Sequence, residues 1–99
     1  MDTRYTLNEI NFVWDAKKAT ANIKNHRGIS FELACEVFFD PLLLVQDGGI
    51  AEGEQREAVI GMTAGWRLLY VVYVLRADDV RIVSARLATK PERRLYENG

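Results

Sequence analysis

The apolar positions of this chain change their spacing part-way along, and the change divides it into a helical region and a strand region. Asn11–Trp14 is short and aromatic and predicts a strand. Asp15 stands where an N-cap belongs, since its carboxylate can accept from the free N–H groups of a following first turn. Ala16–His26 is rich in Ala and Lys and predicts a polar helix, ended by Gly28 as the left-handed residue. Ser30 caps a second helix, with Glu32 at the positive end of its dipole. Phe31, Ala34, Cys35 and Phe38 form one apolar face at helical spacing, widened by Leu33 and Val37. That face is expected to be buried, so Phe38→Ala is expected to cost ~3–5 kcal/mol. Asp40-Pro41 stops the helix, because proline disfavours helical geometry in the residue before it.

From Leu42 onward the spacing is that of strands. Leu42–Asp47 predicts one strand, and Gly48-Gly49 opens a loop to Gln55. Arg56–Thr63 predicts a second strand, closed by a tight turn at Ala64-Gly65. Trp66–Arg76 is apolar on both faces, as a central strand covered on each side requires. Ala77-Asp78-Asp79 turns the chain into a last strand, Val80–Ala88. Thr89 and Glu92 have capping-box spacing, with Pro91 tolerated in the first turn, so Lys90–Glu97 predicts a terminal helix. The predicted order is β-α-α-β-β-β-β-α. Adjacent strands with helices grouped elsewhere give an α+β fold, with helices packed on a mainly antiparallel sheet.

Length and composition narrow the class. Ninety-nine residues, 48% of them apolar, suffice for one domain with one core, residues 1–99. No apolar stretch reaches the ~20 residues a membrane span needs. Met1–Arg4 lacks the basic and apolar regions of a signal peptide. The lone cysteine, Cys35, sits among apolar neighbours and reads as structural. A cytoplasmic protein is expected. The net charge of −1 hides an asymmetry: Met1–Gln55 carries nine acids and five Lys or Arg, whereas Arg56–Gly99 carries eight, seven of them arginine, and five acids. An arginine-rich half suits a phosphate-facing surface, and equally a solvated charged one.

Six segments together resemble one family. They are Phe12-Val13-Trp14-Asp15; Lys17 or Lys18 with Asn22, His26 and Gly28-Ile29-Ser30-Phe31-Glu32; Phe38-x-Asp40-Pro41; Glu54-x-Arg56 before Ile60-Gly61; Ile82-Val83-Ser84-Ala85-Arg86-x-Ala88; and Glu92-Arg93-x-x-Tyr96-Glu97. In this order and spacing, from Phe12 to Glu97, the sequence resembles the BrnT toxins. Two positions depart from the family pattern. Asn25 stands where lysine usually precedes the histidine, leaving Lys24 the nearest lysine, and Arg27 separates His26 from Gly28. The resemblance implies a RelE-like fold and an endoribonuclease toxin that arrests growth. It also implies neutralisation by a BrnA-type antitoxin carrying a DNA-binding domain, in a complex that represses its own operon and can reach higher order. The competing reading is a non-catalytic protein- or RNA-binding module that regulates its operon with a partner.

A ribonuclease that works without a metal drives the RNA 2′-hydroxyl onto the adjacent phosphorus. It needs a base at that hydroxyl, cations around the transition state and an acid at the leaving oxygen. The sequence has no Asp-x-Asp or His-Glu-x-x-His grouping and only one histidine, so neither a metal site nor another cofactor is expected. Arg86 leads the catalytic candidates, placed by simple alternation on a face with Val80, Ile82 and Ser84. It either forks a phosphate or pairs with an acid such as Glu54 or Glu92. Arg56 is a candidate second clamp and Glu54 a candidate base, or the two form a rim ion pair. His26 can move a proton near neutral pH or cap the first helix. Lys24, Arg93 and Tyr96 are candidate RNA contacts; Tyr96 reads equally as docking its helix on the sheet. Trp14 and Trp66 read as core or sheet-packing residues.

Overall fold

The computed structural model describes residues 1–99. Six strands and three helices follow one another as β1 (Asp2–Leu7), β2 (Ile10–Asp15), α1 (Ala16–Asn25), α2 (Phe31–Cys35), β3 (Leu44–Ala51), β4 (Glu54–Met62), β5 (Leu68–Arg76), β6 (Asp79–Leu87) and α3 (Lys90–Asn98). A 3₁₀ turn, Glu36–Phe39, continues α2. The fold is α+β, and the six strands form one mixed sheet in the order β1-β2-β6-β5-β4-β3. Every neighbouring pair is antiparallel except β2 and β6, which run parallel.

The expected order β-α-α-β-β-β-β-α therefore lacks one strand, β1. Thr3, Tyr5 and Leu7 do alternate with exposed Asp2, Arg4 and Thr6, as a half-buried strand should. The turn that pairs it with β2 conceals it. Asn8 (φ 49°) and Glu9 (φ 69°) both adopt left-handed backbone, the geometry of a tight hairpin turn. Such turns favour Asn-Gly, and glutamate in the second place carries no turn signal. A second correction concerns the segment read as a loop from Gly48 to Gln55. β3 continues through a bulge at Gly48-Gly49 to Ala51, and β4 begins at Glu54.

The caps behave as their chemistry requires. Asp15 accepts from the Lys18 amide at 3.0 Å and Ser30 from the Leu33 amide at 3.0 Å. Thr89 and Glu92 form a reciprocal capping box. α2 and the 3₁₀ turn pack Phe31, Ala34, Cys35 and Val37, all 0% exposed, onto one face of the sheet. The turn comes so close to β4 that a Cβ on Gly61 would lie 2.8 Å from the Val37 Cβ. Any side chain at Gly61 forces the two elements apart. Burial also raises the Cys35 thiol to about 12, which leaves it an inert core group.

Phe38 and Leu33 are only half-buried, because the helix tightens to 3₁₀ geometry at Glu36 and rotates Phe38 toward the rim. Phe38 still meets Phe12 and Tyr73, with ring centroids 5.3 and 5.0 Å away. The expected cost of ~3–5 kcal/mol thus belongs to Phe31→Ala, and Phe38→Ala should cost roughly half of it. Urea unfolding of the two variants checks this; equal losses would put the ring of Phe38 in the core.

α3 lies on the opposite face. Leu69, Val71 and Ala85 belong to the cluster beneath α2, so the alternating residues Tyr70 and Arg86 point the other way, toward α3. A bulge in β6 brings this about. Val72 faces Ser84 but Tyr73 faces Ile82, which leaves Val83 as the extra residue. The bulge puts both Ile82 and Ala85 in the core and turns Arg86 away from the face of Val80 and Ile82 that simple alternation assigned it.

Candidate active site

β2 runs beside β6 only from Asn11 to Val13, pairing with Asp79 to Arg81. Beyond Arg81 the β6 backbone needs other partners, and the side chain of Asn22 on α1 supplies them. Its Nδ2 donates to the carbonyls of Ala85 and Ile29, both at 2.9 Å, and its Oδ1 accepts from the Ala85 amide at 3.1 Å. Asn22 is 5% exposed, so each of these bonds replaces one that water cannot make. The last turn of α1 is thereby fastened to the end of β6. His26 is its C-cap, its amide donating to the Asn22 carbonyl, and Arg27 (φ 54°) and Gly28 (φ 79°) reverse the chain in left-handed conformation.

This arrangement brings His26 and Arg86, distant in sequence, into one cleft of about 220 Å³, lined by Asn25, His26, Arg27, Arg86 and Leu87. The Arg86 guanidinium lies 4.3 Å above the centre of the Tyr70 ring. Its two terminal nitrogens donate to the Glu92 carboxylate at 2.7 and 2.9 Å, and one also reaches the Leu87 carbonyl at 3.2 Å. The hydrogen bond to Glu92 raises the Arg86 pKa against the effect of burial, and the same bond lowers that of Glu92. Arg86 is thus both a partner of Glu92 and a wall of the cleft. Its side chain remains 36% exposed, so the guanidinium is fixed in position without being closed off.

The other candidates are scattered. Glu54 pairs with Arg76 through both its oxygens, not with Arg56. Since Arg86 faces Tyr70, and Arg76 is six positions further along β5, Glu54 sits about 20 Å from the cleft. Arg56 lies on β4 one residue before Glu57, which faces Tyr73, about 13 Å along the strand direction from the level of Tyr70. Arg56 shares the α3-side face of the sheet with Arg4, Arg76, Arg81 and Arg86, which pair with Asp79, Glu54, Asp2 and Glu92 respectively. Arg56 makes no such pair, and its buried Nε has no hydrogen-bond partner. Lys24 and Arg93 are exposed on α1 and α3. The Tyr96 hydroxyl donates to Asp40 at 2.6 Å, which docks α3.

Residues 14–92 match the family described as the ribonuclease toxin, BrnT, of type II toxin-antitoxin systems. The chain belongs to this family. No curated relative matches it. Membership makes the protein a ribonuclease toxin with an antitoxin partner. The matched stretch takes in His26, Arg56 and Arg86 and ends before Arg93 and Tyr96. No helix of the toxin is long and apolar enough to cross a membrane.

Sequence reasoning did not see the tether made by Asn22, although it marked the residue as part of a motif. An asparagine in mid-helix is unfavourable for the helix itself and is a signal for a tertiary partner. Trp14 is buried as expected, at 2% exposed, but Trp66 is a correction. It lies outside β5, in the loop from Thr63 to Arg67, at φ 67° and 84% exposed. Its indole borders an apolar groove of about 580 Å³ with Phe39, Leu42, Met62 and Tyr96.

The Tyr96–Asp40 contact should make the docking of α3 depend on pH. Burial and the bond to Asp40 push Tyr96 up to about 12. Burial pushes Asp40 up too, but the Tyr96 hydroxyl and the Leu42 and Met62 amides outweigh it and leave the carboxyl below its ordinary 3.8. A raised tyrosine contributes stability that is complete below its ordinary 10.0 and is lost as the pH rises through about 12. The lowered carboxyls of Asp40 and Glu92 contribute above their ordinary 3.8 and 4.5 and fail on acidification below them. Docking of α3 should hold between these limits. Tyr96→Phe should flatten the alkaline fall of the melting temperature and soften the acid fall in the part that Asp40 contributes; an unchanged alkaline limb would show that the bond is not maintained.

Proposed function

We propose that the toxin cleaves RNA without a metal ion, at the cleft between His26 and Arg86, on a RelE-like fold. The observation that supports this best is the convergence of the chain's only imidazole with a fixed guanidinium in one cleft whose lining contains no carboxylate. His26 accepts the proton of the 2′-hydroxyl as its oxygen attacks the adjacent phosphorus. The bond to the 5′-oxygen breaks, and the leaving oxygen takes a proton from solvent or from the imidazolium so formed. Arg86 holds the phosphate oxygens as their charge grows. The products are a 2′,3′-cyclic phosphate and a 5′-hydroxyl. Glu54, distant and paired with Arg76, takes no part as base. Arg56, the unpaired arginine of the sheet face, contacts phosphate further along the strand, and Lys24 and Arg93 extend that surface.

The antitoxin in this reading is a BrnA-type DNA-binding protein that covers the arginine-bearing face in the cytoplasm. A positive, phosphate-binding surface is silenced best by a partner of complementary charge. The test is cleavage of an unstructured RNA by purified toxin in excess chelator. Cutting should persist and leave cyclic phosphate ends. Cutting that stops with chelator and returns with magnesium would overturn the mechanism.

A further inference from the structure

A second strip of positive surface adjoins the cleft. A pocket of about 250 Å³, lined by Arg27, Ile29, Arg67 and Leu87, shares Arg27 and Leu87 with it. No carboxylate lines either space. Neither Arg27 nor Arg67 takes part in an ion pair, unlike the paired arginines of the sheet face.

Both backbones are held. Arg27 sits in left-handed conformation at the end of α1, a geometry that is strained for a non-glycine residue and persists where the surroundings impose it. Arg67 closes the β4–β5 loop. Its carbonyl accepts from the Thr63 amide at 2.9 Å and its amide donates to the Thr63 hydroxyl at 3.1 Å, with Thr63 itself 4% exposed. Leu87, 40% exposed at the end of β6, lines the same pocket as the two arginines and the buried Ile29. An apolar side chain open to solvent in one pocket with two unpaired cations fits a ligand that alternates charge with a flat apolar face. Single-stranded RNA does so at every nucleotide, and guanidinium planes also stack on its bases.

We propose that Arg27, Arg67 and Leu87 form a binding subsite for the nucleotide adjoining the cleaved phosphate. The guanidiniums hold the phosphate and Leu87 seats the base. The proposal rests on the His26–Arg86 reading of the cleft, and deepens it by giving the RNA a direction across the molecule. Arg27, the residue inserted between His26 and Gly28, is the hinge of that path, because it lines both spaces.

The test is fluorescence anisotropy with a 5′-fluorescein-labelled, 2′-O-methyl oligoribonucleotide of about ten nucleotides, whose blocked hydroxyls prevent cleavage. Arg27→Gln/Arg67→Gln should weaken binding about tenfold or more and make the dependence on salt shallower by about 0.7 in log–log slope, the value for one phosphate neutralised on a single strand. On a cleavable RNA the same variant should raise KM and largely spare kcat. Arg27→Lys/Arg67→Lys should restore the salt slope. Thermal unfolding of each variant identifies any loss of fold, and Arg67→Gln alone, changing only an exposed side chain, serves if the double variant is unfolded. A folded variant with wild-type affinity and slope overturns the subsite. So does one that binds RNA normally but loses a glutamate-rich peptide, which would make the strip a protein-docking surface. A wild type that neither binds nor cuts RNA would instead overturn the underlying reading of the cleft.

Discussion

Arg86→Ala is expected to lower RNA cleavage about 10²-fold or more, the scale of removing one preorganised donor at a developing charge. Arg86→Lys should recover little of it, since an ammonium keeps the charge but not the planar fork. The bidentate bond to Glu92 supplies a sharper control than either. A mostly buried bidentate pair of this kind, with side chains 36% and 18% exposed, contributes on the order of 1–2 kcal/mol, so both Arg86→Ala and Glu92→Gln should remain folded with lower melting temperatures. If Arg86 acts on the phosphate, Glu92→Gln retains the cation over Tyr70 and retains cleavage, while Arg86→Ala loses it. If Arg86 serves only to anchor α3, the two variants lose activity and stability in parallel. Purified variants assayed on one RNA, with thermal unfolding of the same samples, distinguish these outcomes. A folded Arg86→Ala protein that cuts at the wild-type rate would remove Arg86 from the mechanism.

The features legible in the sequence were those set by local chemistry. Asp15, Ser30 and Thr89 cap the helices that follow them because short polar side chains before helical runs have few better uses. β5 is internal, as its two-faced apolarity demands. Features set by pairing were not legible. β1 depends on a hairpin turn with an unconventional residue, and the bulge at Val83 leaves no mark in composition while reversing the face of every residue after it. Arg86 was thus named for its chemistry and misplaced by its period. Glu54 and Arg56 look paired because they are two apart on one strand, yet Arg76 arrives across the sheet to take Glu54. His26 and Arg86 were each singled out, but their shared cleft depends on the parallel entry of β2 beside β6 and the tether at Asn22, both long-range.

That tether carries the largest stability prediction. Asn22→Ala leaves the Ala85 amide, the Ala85 carbonyl and the Ile29 carbonyl without the partners they have at 2.9–3.1 Å. Each buried backbone group left unpaired costs about 1–3 kcal/mol. With some relaxation and water entry the sum should reach about 3–5 kcal/mol, a large part of the ~5–15 kcal/mol that holds a small domain together. Asn22→Leu separates the causes, because it nearly preserves volume and removes only the hydrogen bonds. Asn22→Asp should be at least as damaging, since it loses both donors and sets a carboxylate against two carbonyls. The consequence reaches the cleft: without the tether the end of α1 is free to leave β6, so the Ala85 amide should exchange with solvent much faster. His26 should then lose its fixed relation to Arg86, and kcat should fall even at temperatures where the variant is folded. Urea unfolding, amide exchange at Ala85 and cleavage rate on one set of samples measure all three effects. An Asn22→Leu protein as stable as wild type, with Ala85 still protected, would mean that β6 finds its partners elsewhere and that α1 is held by packing alone.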